Sequence, residues 1–184
     1  FFFFFKENQA QFIYLPGNFP SYKNPPLFIA EFNKKFDINK PFLFLATQFR
    51  PYKNILVLLK AALLNSEILK NYNLIFTGNL ADDISSKELV ETTELKNIVR
   101  MVGPLSEDDL RNFYLNASFV VVPTLFEGGF PWQAIEAMSF NKPVLMSRIP
   151  ITTERLDFEG FSKEYTEFML FNPYSEIELS HKIT

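Results

Sequence analysis

No cysteine occurs among the 184 residues of this chain. Disulfides, thiolate nucleophiles and cysteine-based zinc sites are thereby excluded, and a reducing cytoplasm suits the protein. Histidine is nearly as scarce, His181 being the only one, three residues from the end. A multi-histidine metal site or a histidine-based triad cannot form except around that residue, whose place fits a solvated surface side chain. An excess of positive charge is lacking too. Eighteen Lys and Arg stand against 21 Asp and Glu, a formal charge of -3, and no basic run appears. No nucleic-acid partner is expected, because a phosphate backbone calls for a basic face. Nor does any apolar stretch approach the roughly 20 residues of a membrane-crossing helix.

What is present is the material of one packed α/β domain: 47% hydrophobic residues against 21% charged, in a chain long enough for a single core. The opening FFFFFK lacks the basic start, longer apolar core and small-residue cleavage site of a signal peptide. With no initial Met, a fragment boundary is expected there. Five consecutive phenylalanines would be an aggregation hazard if exposed, so they are expected to pack or to face a missing partner domain.

Residues 1–40 read as an irregular lead-in. Pro16, Gly17, Pro20, Pro25 and Pro26 break any long helix before LFIAEFNKKF, which suits a short one. From Pro41 short apolar runs recur as buried strands: FLFLA (42–46), LIFTG (74–78), IVRMV (98–102), FVVVP (119–123), PVLMS (143–147) and FMLF (168–171). Helical spacing fills the intervals. Ile55, Leu58, Leu59, Ala62 and Leu63 form one stripe; Leu110, Phe113, Tyr114 and Ala117 form another behind a Ser106/Asp109 capping pair. A more polar helix is expected over about 82–95, and Pro131 stands where a further helix should begin. Strands alternating with helices predict a Rossmann-like parallel sheet covered on both faces, with its ligand crevice beyond the strands' carboxyl ends. Gly78, Gly103, Gly128 and Gly129 fall at those ends.

Two of the connecting segments can carry chemistry. In PTLFEGGFPWQAIEAMSFNKPVL (123–145) a strand ends, a Gly-Gly turn follows Glu127, and a helix begins near Pro131 with Glu136 inside it. Free backbone N–H groups at a helix start attract phosphate or sugar oxygens, and a carboxylate accepts two hydroxyl hydrogen bonds from a diol. Taken alone, Glu-Gly-Gly reads as a tight turn. The second segment, TQFRPYKNI (47–55), follows the first strand and carries Arg50 and Lys53 at its tip. Two cations there would hold a diphosphate and stabilise the charge it gains on leaving; two solvated loop cations remain the alternative. The acidic clusters Asp82-Asp83 and Glu107-Asp108-Asp109 fit helix starts. Trp132 is expected to pack on the core rather than to stack on a ligand.

Together these segments resemble the large glycosyltransferase family called group 1 or family 4, over roughly residues 41 to 184. RPYKNI resembles the donor-phosphate loop. IVRMVGPLSEDDLRNFYLNASFVVVPTLFEGG is similar to the run from the nucleotide-base strand to the acidic motif, AIEAMSFNKPVL to the helix and strand that follow, and LFNPYSEIEL to the closing segment. The resemblance implies the C-terminal, donor-binding half of a GT-B fold: residues 1–40 leading in from a missing N-terminal domain, residues 41–184 the nucleotide-sugar-binding domain. It implies that Glu127 contacts the donor sugar and Glu136 the ribose hydroxyls, that backbone around Gly128, Gly129 and Phe130 touches sugar and phosphate, and that Lys53 binds the diphosphate. Arg50 would add charge, Thr47 would stand beside the donor, and main chain near Arg100 and Met101 would line the base pocket. Two departures are visible. Glu127 and Glu136 lie nine positions apart where the family has eight, and Gln48 occupies the place of the phosphate-binding arginine.

The implied reaction is transfer of a hexosyl group, with retention, from a nucleotide diphosphate sugar to a hydroxyl acceptor. It implies no metal and no cofactor beyond that donor. Its acceptor, a saccharide or lipid-linked glycan, would be bound through the missing N-terminal domain. A cytoplasmic location is implied, with peripheral membrane association of the full-length protein left open. A non-catalytic nucleotide-binding or interaction domain of the same fold is the alternative, for which the two departures speak. A nucleotide-sugar epimerase is disfavoured by the lone histidine.

Overall fold

The computed structural model describes residues 23–183 in full and, at the amino end, the backbone of two strands. These two, β1 (Phe2–Lys6) and β2 (Gln9–Ile13), pair antiparallel with Phe2 opposite Ile13 and Lys6 opposite Gln9. An irregular lead-in was expected. The prolines behind that expectation all lie beyond Ile13, whereas a run of phenylalanine strongly favours strand. What the five phenylalanine side chains meet lies outside the described residues.

The main sheet is six parallel strands: β3 (Phe42–Leu45), β4 (Asn73–Phe76), β5 (Val99–Met101), β6 (Phe119–Val122), β7 (Val144–Ser147) and β8 (Leu170–Phe171). Their order across the sheet is β5-β4-β3-β6-β7-β8. Counted from β3 this is 3-2-1-4-5-6, the doubly wound order, which reverses direction between β3 and β6. All six runs expected from the sequence form strands. The last is shorter than read, because Phe168 and Met169 complete a helix before the chain extends.

Nine helices accompany these strands among the described residues: α1 (Ile29–Phe36), α2 (Ile55–Leu63), α3 (Ser66–Asn71), α4 (Ile84–Thr92), α5 (Glu107–Asn116), α6 (Trp132–Ser139), α7 (Pro150–Phe158), α8 (Lys163–Met169) and α9 (Glu176–Lys182). They cover both faces. Phe42, Phe44, Ile75, Val120, Val122 and Met146 bury one face with residues of α1, α5, α6, α7 and α8. Leu43, Leu45, Leu74, Phe76, Val121 and Leu145 bury the other with α2, α3, α4 and α9. Successive side chains of a strand point to opposite faces, so strands buried on both faces read as unbroken apolar runs.

The helix ends follow from their sequences. Ser106 Oγ accepts the backbone N–H of Asp109 at 3.2 Å, and Asp83 Oδ1 that of Ser86 at 3.2 Å, each satisfying an amide the helix leaves unpaired. Pro131 sits at the N-cap of α6, one place before the expected first turn. Phe32, Phe36, Phe42, Phe44 and Phe113 form an aromatic cluster with neighbouring ring centroids 4.6–6.4 Å apart, fixing α1 and α5 to the sheet. The packed unit thus takes in α1, which lies ahead of residue 41.

Gly78, just beyond β4, is required by close approach. A Cβ there would lie 2.3 Å from Phe49 Cδ1 and 2.8 Å from the Thr47 carbonyl oxygen. Gly78→Ala is expected to lower stability by about 1–3 kcal/mol, as overpacking does, in urea unfolding of this chain. An unchanged midpoint would contradict that close fit.

Candidate functional site

The strand order reverses between β3 and β6, and the segments leaving their carboxyl ends meet there. After β3 the chain turns once through Pro51–Lys53 and enters α2 by way of Asn54, whose φ of 52° is left-handed. Asparagine tolerates that conformation better than most residues, and its side-chain N–H donates to the Pro173 carbonyl at 2.7 Å. After β6 the backbone N–H of Leu125 donates to the Tyr52 carbonyl at 2.7 Å. The Thr124 hydroxyl lies 3.2 Å from that same carbonyl oxygen and 2.8 Å from that of Phe126. Backbone thus laces the two loops together before any charged side chain is considered.

Upon that lacing Lys53 Nζ donates to Glu127 Oε1, joining the two loops by an ion pair. The side chains retain only 14% and 17% of their exposure, so the pair is shielded from the screening that weakens surface bridges.

Glu136 projects from α6 into the neighbouring cleft. Its Oε2 accepts the Tyr114 hydroxyl at 2.6 Å. Burial raises the Glu136 carboxyl above the ordinary glutamate range, and the hydrogen bond from Tyr114 works against that rise. The cleft, about 430 Å³, is lined by Thr47, Gln48, Thr77, Trp132, Gln133 and Glu136 among others. A second, of about 730 Å³, is lined by Arg50, Gly78, Asn79, Asp82, Met101 and Gly103 among others. Gln48, Thr77 and Pro104 belong to both, so the two run on as one crevice along the strand ends. That is where ligands bind in open α/β sheets.

The residues anticipated from the sequence are distributed unevenly about this crevice. Thr47 and Glu136 line its inner part; Arg50 and Met101 line its outer part. Arg50 also donates to Gln48 Oε1 at 3.2 Å, which couples it to the residue standing in the family arginine's place. Gly128 and Gly129 lie exposed in the turn after Glu127, and a Cβ on either would meet nothing within 4 Å. The Phe130 ring packs against the core, leaving its backbone at the turn.

For Arg100 the expectation concerned main chain, and its side chain turns away from the crevice. Its guanidinium donates to the Asp37 carbonyl at 2.5 Å, at the carboxyl end of α1, and lines neither part of the crevice. Neighbouring residues of a strand face opposite ways, so Met101 and Arg100 could not both turn to it. Trp132 is a correction to the sequence reading: it is 65% exposed on the crevice wall, not packed in the core. Thr77, Gln133 and Tyr114 acquire places at the site that sequence reasoning did not give them. Tyr114 had a signal, its place on the buried stripe of α5, but a stripe does not show where a hydroxyl points. Asp83 caps α4, and Glu107, Asp108 and Asp109 open α5, as helix starts, whereas Asp82 lines the outer part of the crevice; His181 is exposed. Among the described residues no helix is long and apolar enough to cross a membrane.

A doubly wound α/β domain with a crevice at its reversal point is the class that fold and site define. Residues 28–159 match the family described as glycosyl transferases group 1, and the chain belongs to that family. Over 108 residues it is 36% identical to the O-antigen chain mannosyltransferase RfbU of Salmonella typhimurium, covering 58% of this chain and 29% of that protein. The lipopolysaccharide 1,2-N-acetylglucosaminetransferase of the same organism is 32% identical over 113 residues, covering 58% and 30%. The match thus spans about a third of the length of these curated relatives. Among solved structures, sucrose-phosphate synthase of Thermosynechococcus elongatus aligns with a TM-score of 0.66 at 24% identity, covering 86% of this chain and 39% of that one. The C-terminal domain of a group 1 glycosyl transferase from Francisella tularensis aligns at 0.64 and 17%, covering 90% and 83%. Anabaena HepE in complex with UDP aligns at 0.63 and 16%, covering 86% and 43%. At these identities the three structures speak for the fold.

The desolvated carboxyl of Glu136 has a consequence for stability. With its pKa raised in the folded state, the folded protein holds the proton where the unfolded chain has released it. Stability contributed by the protonated form is complete below the ordinary glutamate pKa and is lost as pH rises through the raised one. Glu136→Gln is therefore expected to exceed the wild type in urea midpoint at pH 7, the gap closing towards pH 4. Equal midpoints at both values would contradict the burial cost.

Proposed function

We propose that this chain is the donor-binding part of a retaining glycosyltransferase, which moves a hexosyl group from a nucleoside diphosphate sugar to a hydroxyl acceptor. The observation that carries the reading is the Lys53–Glu127 pair across the reversal point, beside the crevice that holds Glu136. Family membership supports transfer chemistry, and the mannosyl and N-acetylglucosaminyl activities in the relatives' names support a hexosyl donor used in polysaccharide assembly. HepE, which shares the fold, is in complex with UDP, and that supports a nucleotide as part of the donor.

On this reading Lys53 and Arg50 neutralise the diphosphate, and the amides around Gly128, Gly129 and Phe130 add donors to it. Glu127, released from Lys53 or shared with it, accepts sugar hydroxyls; Glu136 accepts the ribose diol. The base rests in the outer part of the crevice near Met101, while Thr47 stands beside the donor in the inner part. The bond from the anomeric carbon to the diphosphate oxygen breaks on the same face at which the acceptor oxygen bonds. The acceptor's proton passes to the leaving diphosphate. No cofactor beyond the donor enters the reading. The acceptor, a saccharide or lipid-linked glycan, would be held by a further domain.

The test is thermal stabilisation of this chain by UDP, GDP and ADP and their sugars. One nucleotide class at about a hundredfold excess over its Kd should raise Tm by about 5–10 °C. Lys53→Ala should abolish most of that rise. Removing the lysine also leaves Glu127 without its partner, lowering stability of the free protein by about 1–3 kcal/mol. A folded chain that none of the nucleotides stabilises would overturn the donor reading. Binding by a full-length protein that neither transfers nor hydrolyses the sugar would favour a non-catalytic nucleotide-binding domain.

A further inference from the structure

Tyr114 is wholly buried, yet its hydroxyl reaches the crevice through Glu136. Its ring is held between two others. Phe44 of β3 meets it edge-on with centroids 5.1 Å apart, and Phe140, just past α6, stacks on it at 5.9 Å. A tyrosine so clamped has one remaining freedom, rotation of its O–H bond, and the neighbouring carboxylate oxygen at 2.6 Å takes it up. The other residues lining that cleft from β3, β4 and α6, among them Thr47, Gln48, Thr77 and Gln133, carry no charge. Burial and Tyr114 are accordingly the two influences acting on the Glu136 carboxyl.

We propose that Tyr114 is a positioning residue for nucleotide binding, its hydroxyl fixing Glu136 Oε2 so that Oε1 is left as the acceptor for a ribose diol. The proposal rests on the donor-site reading and adds a residue to it. A flexible glutamate on a helix would lose rotamer freedom on meeting the diol; one already tethered through a rigid ring loses less. The same bond favours the ionised carboxylate, the form that can accept both ribose hydroxyls.

The variant is Tyr114→Phe, which keeps the ring between Phe44 and Phe140 and deletes one buried hydroxyl. Two readouts are needed, the first free of any ligand. Titration of the Glu136 carboxyl by carbon NMR should move to higher pH in the variant. Affinity for whichever of UDP, GDP or ADP binds the wild type should fall about tenfold at pH 7. In a Glu136→Gln background the same Tyr114→Phe change should cost little affinity, because the two residues act as one unit. An unmoved titration, or an equal affinity loss in both backgrounds, would show a packing role only and overturn the proposal. If the wild type binds nucleotide and Tyr114→Phe binds it as well, the donor reading stands and this assignment falls. If the wild type binds none, both fall, whatever the titration shows.

Discussion

The backbone hydrogen bond from Leu125 to Tyr52 is the contact on which the arrangement of the site depends. In a doubly wound sheet the connections leave the reversal point in opposite directions, and a gap opens above the two central strands. Here those strands are β3 and β6, and the gap is bridged by main chain, with Thr124 adding its hydroxyl. Because the bridge is backbone to backbone, the distance between the loops does not vary with side-chain rotamers. Lys53, one residue beyond Tyr52, and Glu127, two beyond Leu125, are then close enough to pair. Asn54 closes the arrangement from behind by holding Pro173. The ion pair is thus a consequence of the lacing and not its cause.

Much of this was legible from the residues alone, for a definite reason. A strand buried on both faces has no polar alternation to hide it, so β3, β4, β6 and β7 stand out as apolar runs. The helices α2 and α5 carry a stripe at helical spacing, and Ser106 announces the start of α5. Other elements give weaker signals. α3 has six residues and is set by Asn65, whose side chain accepts the N–H groups of Glu67 and Ile68. In α7 Leu156 is buried while Phe158 is 80% exposed, so its apolar residues do not fall on one face. The pairing of β1 with β2 depends on contacts that a proline count does not address.

At the site, the sequence marks which segments meet but not how each side chain turns. Glu127, Lys53 and Arg50 fall beyond strand ends, and Glu136 in the helix that follows β6, because the alternation of elements puts them there. Arg100 and Met101 differ because a strand has two faces, and the three residues of β5 are too few for periodicity to tell them apart. Trp132 was assigned to the core by size. It follows the N-cap proline directly, where the first turn of α6 meets the crevice, and neighbouring Ala134, Ala137 and Met138 take the core positions instead.

The crevice is expensive for the fold and is maintained by apolar packing elsewhere. A desolvated carboxylate at Glu136 and a shielded pair at Lys53 and Glu127 both act against stability unless their partners are well placed. Those partners are placed by parts of the molecule that do no chemistry. Phe44 stacks on Phe113, which meets Phe32 and Phe36 of α1, and Phe44 also meets Tyr114 edge-on. One continuous set of rings therefore runs from α1 through β3 to a phenol whose polar end lies at the crevice. A tyrosine serves such a junction because its body belongs to the core and its tip to the polar site. Removing rings far from the crevice would loosen Glu136 without touching it. The aromatic richness of the chain, which by itself says nothing of function, reaches the crevice at that junction.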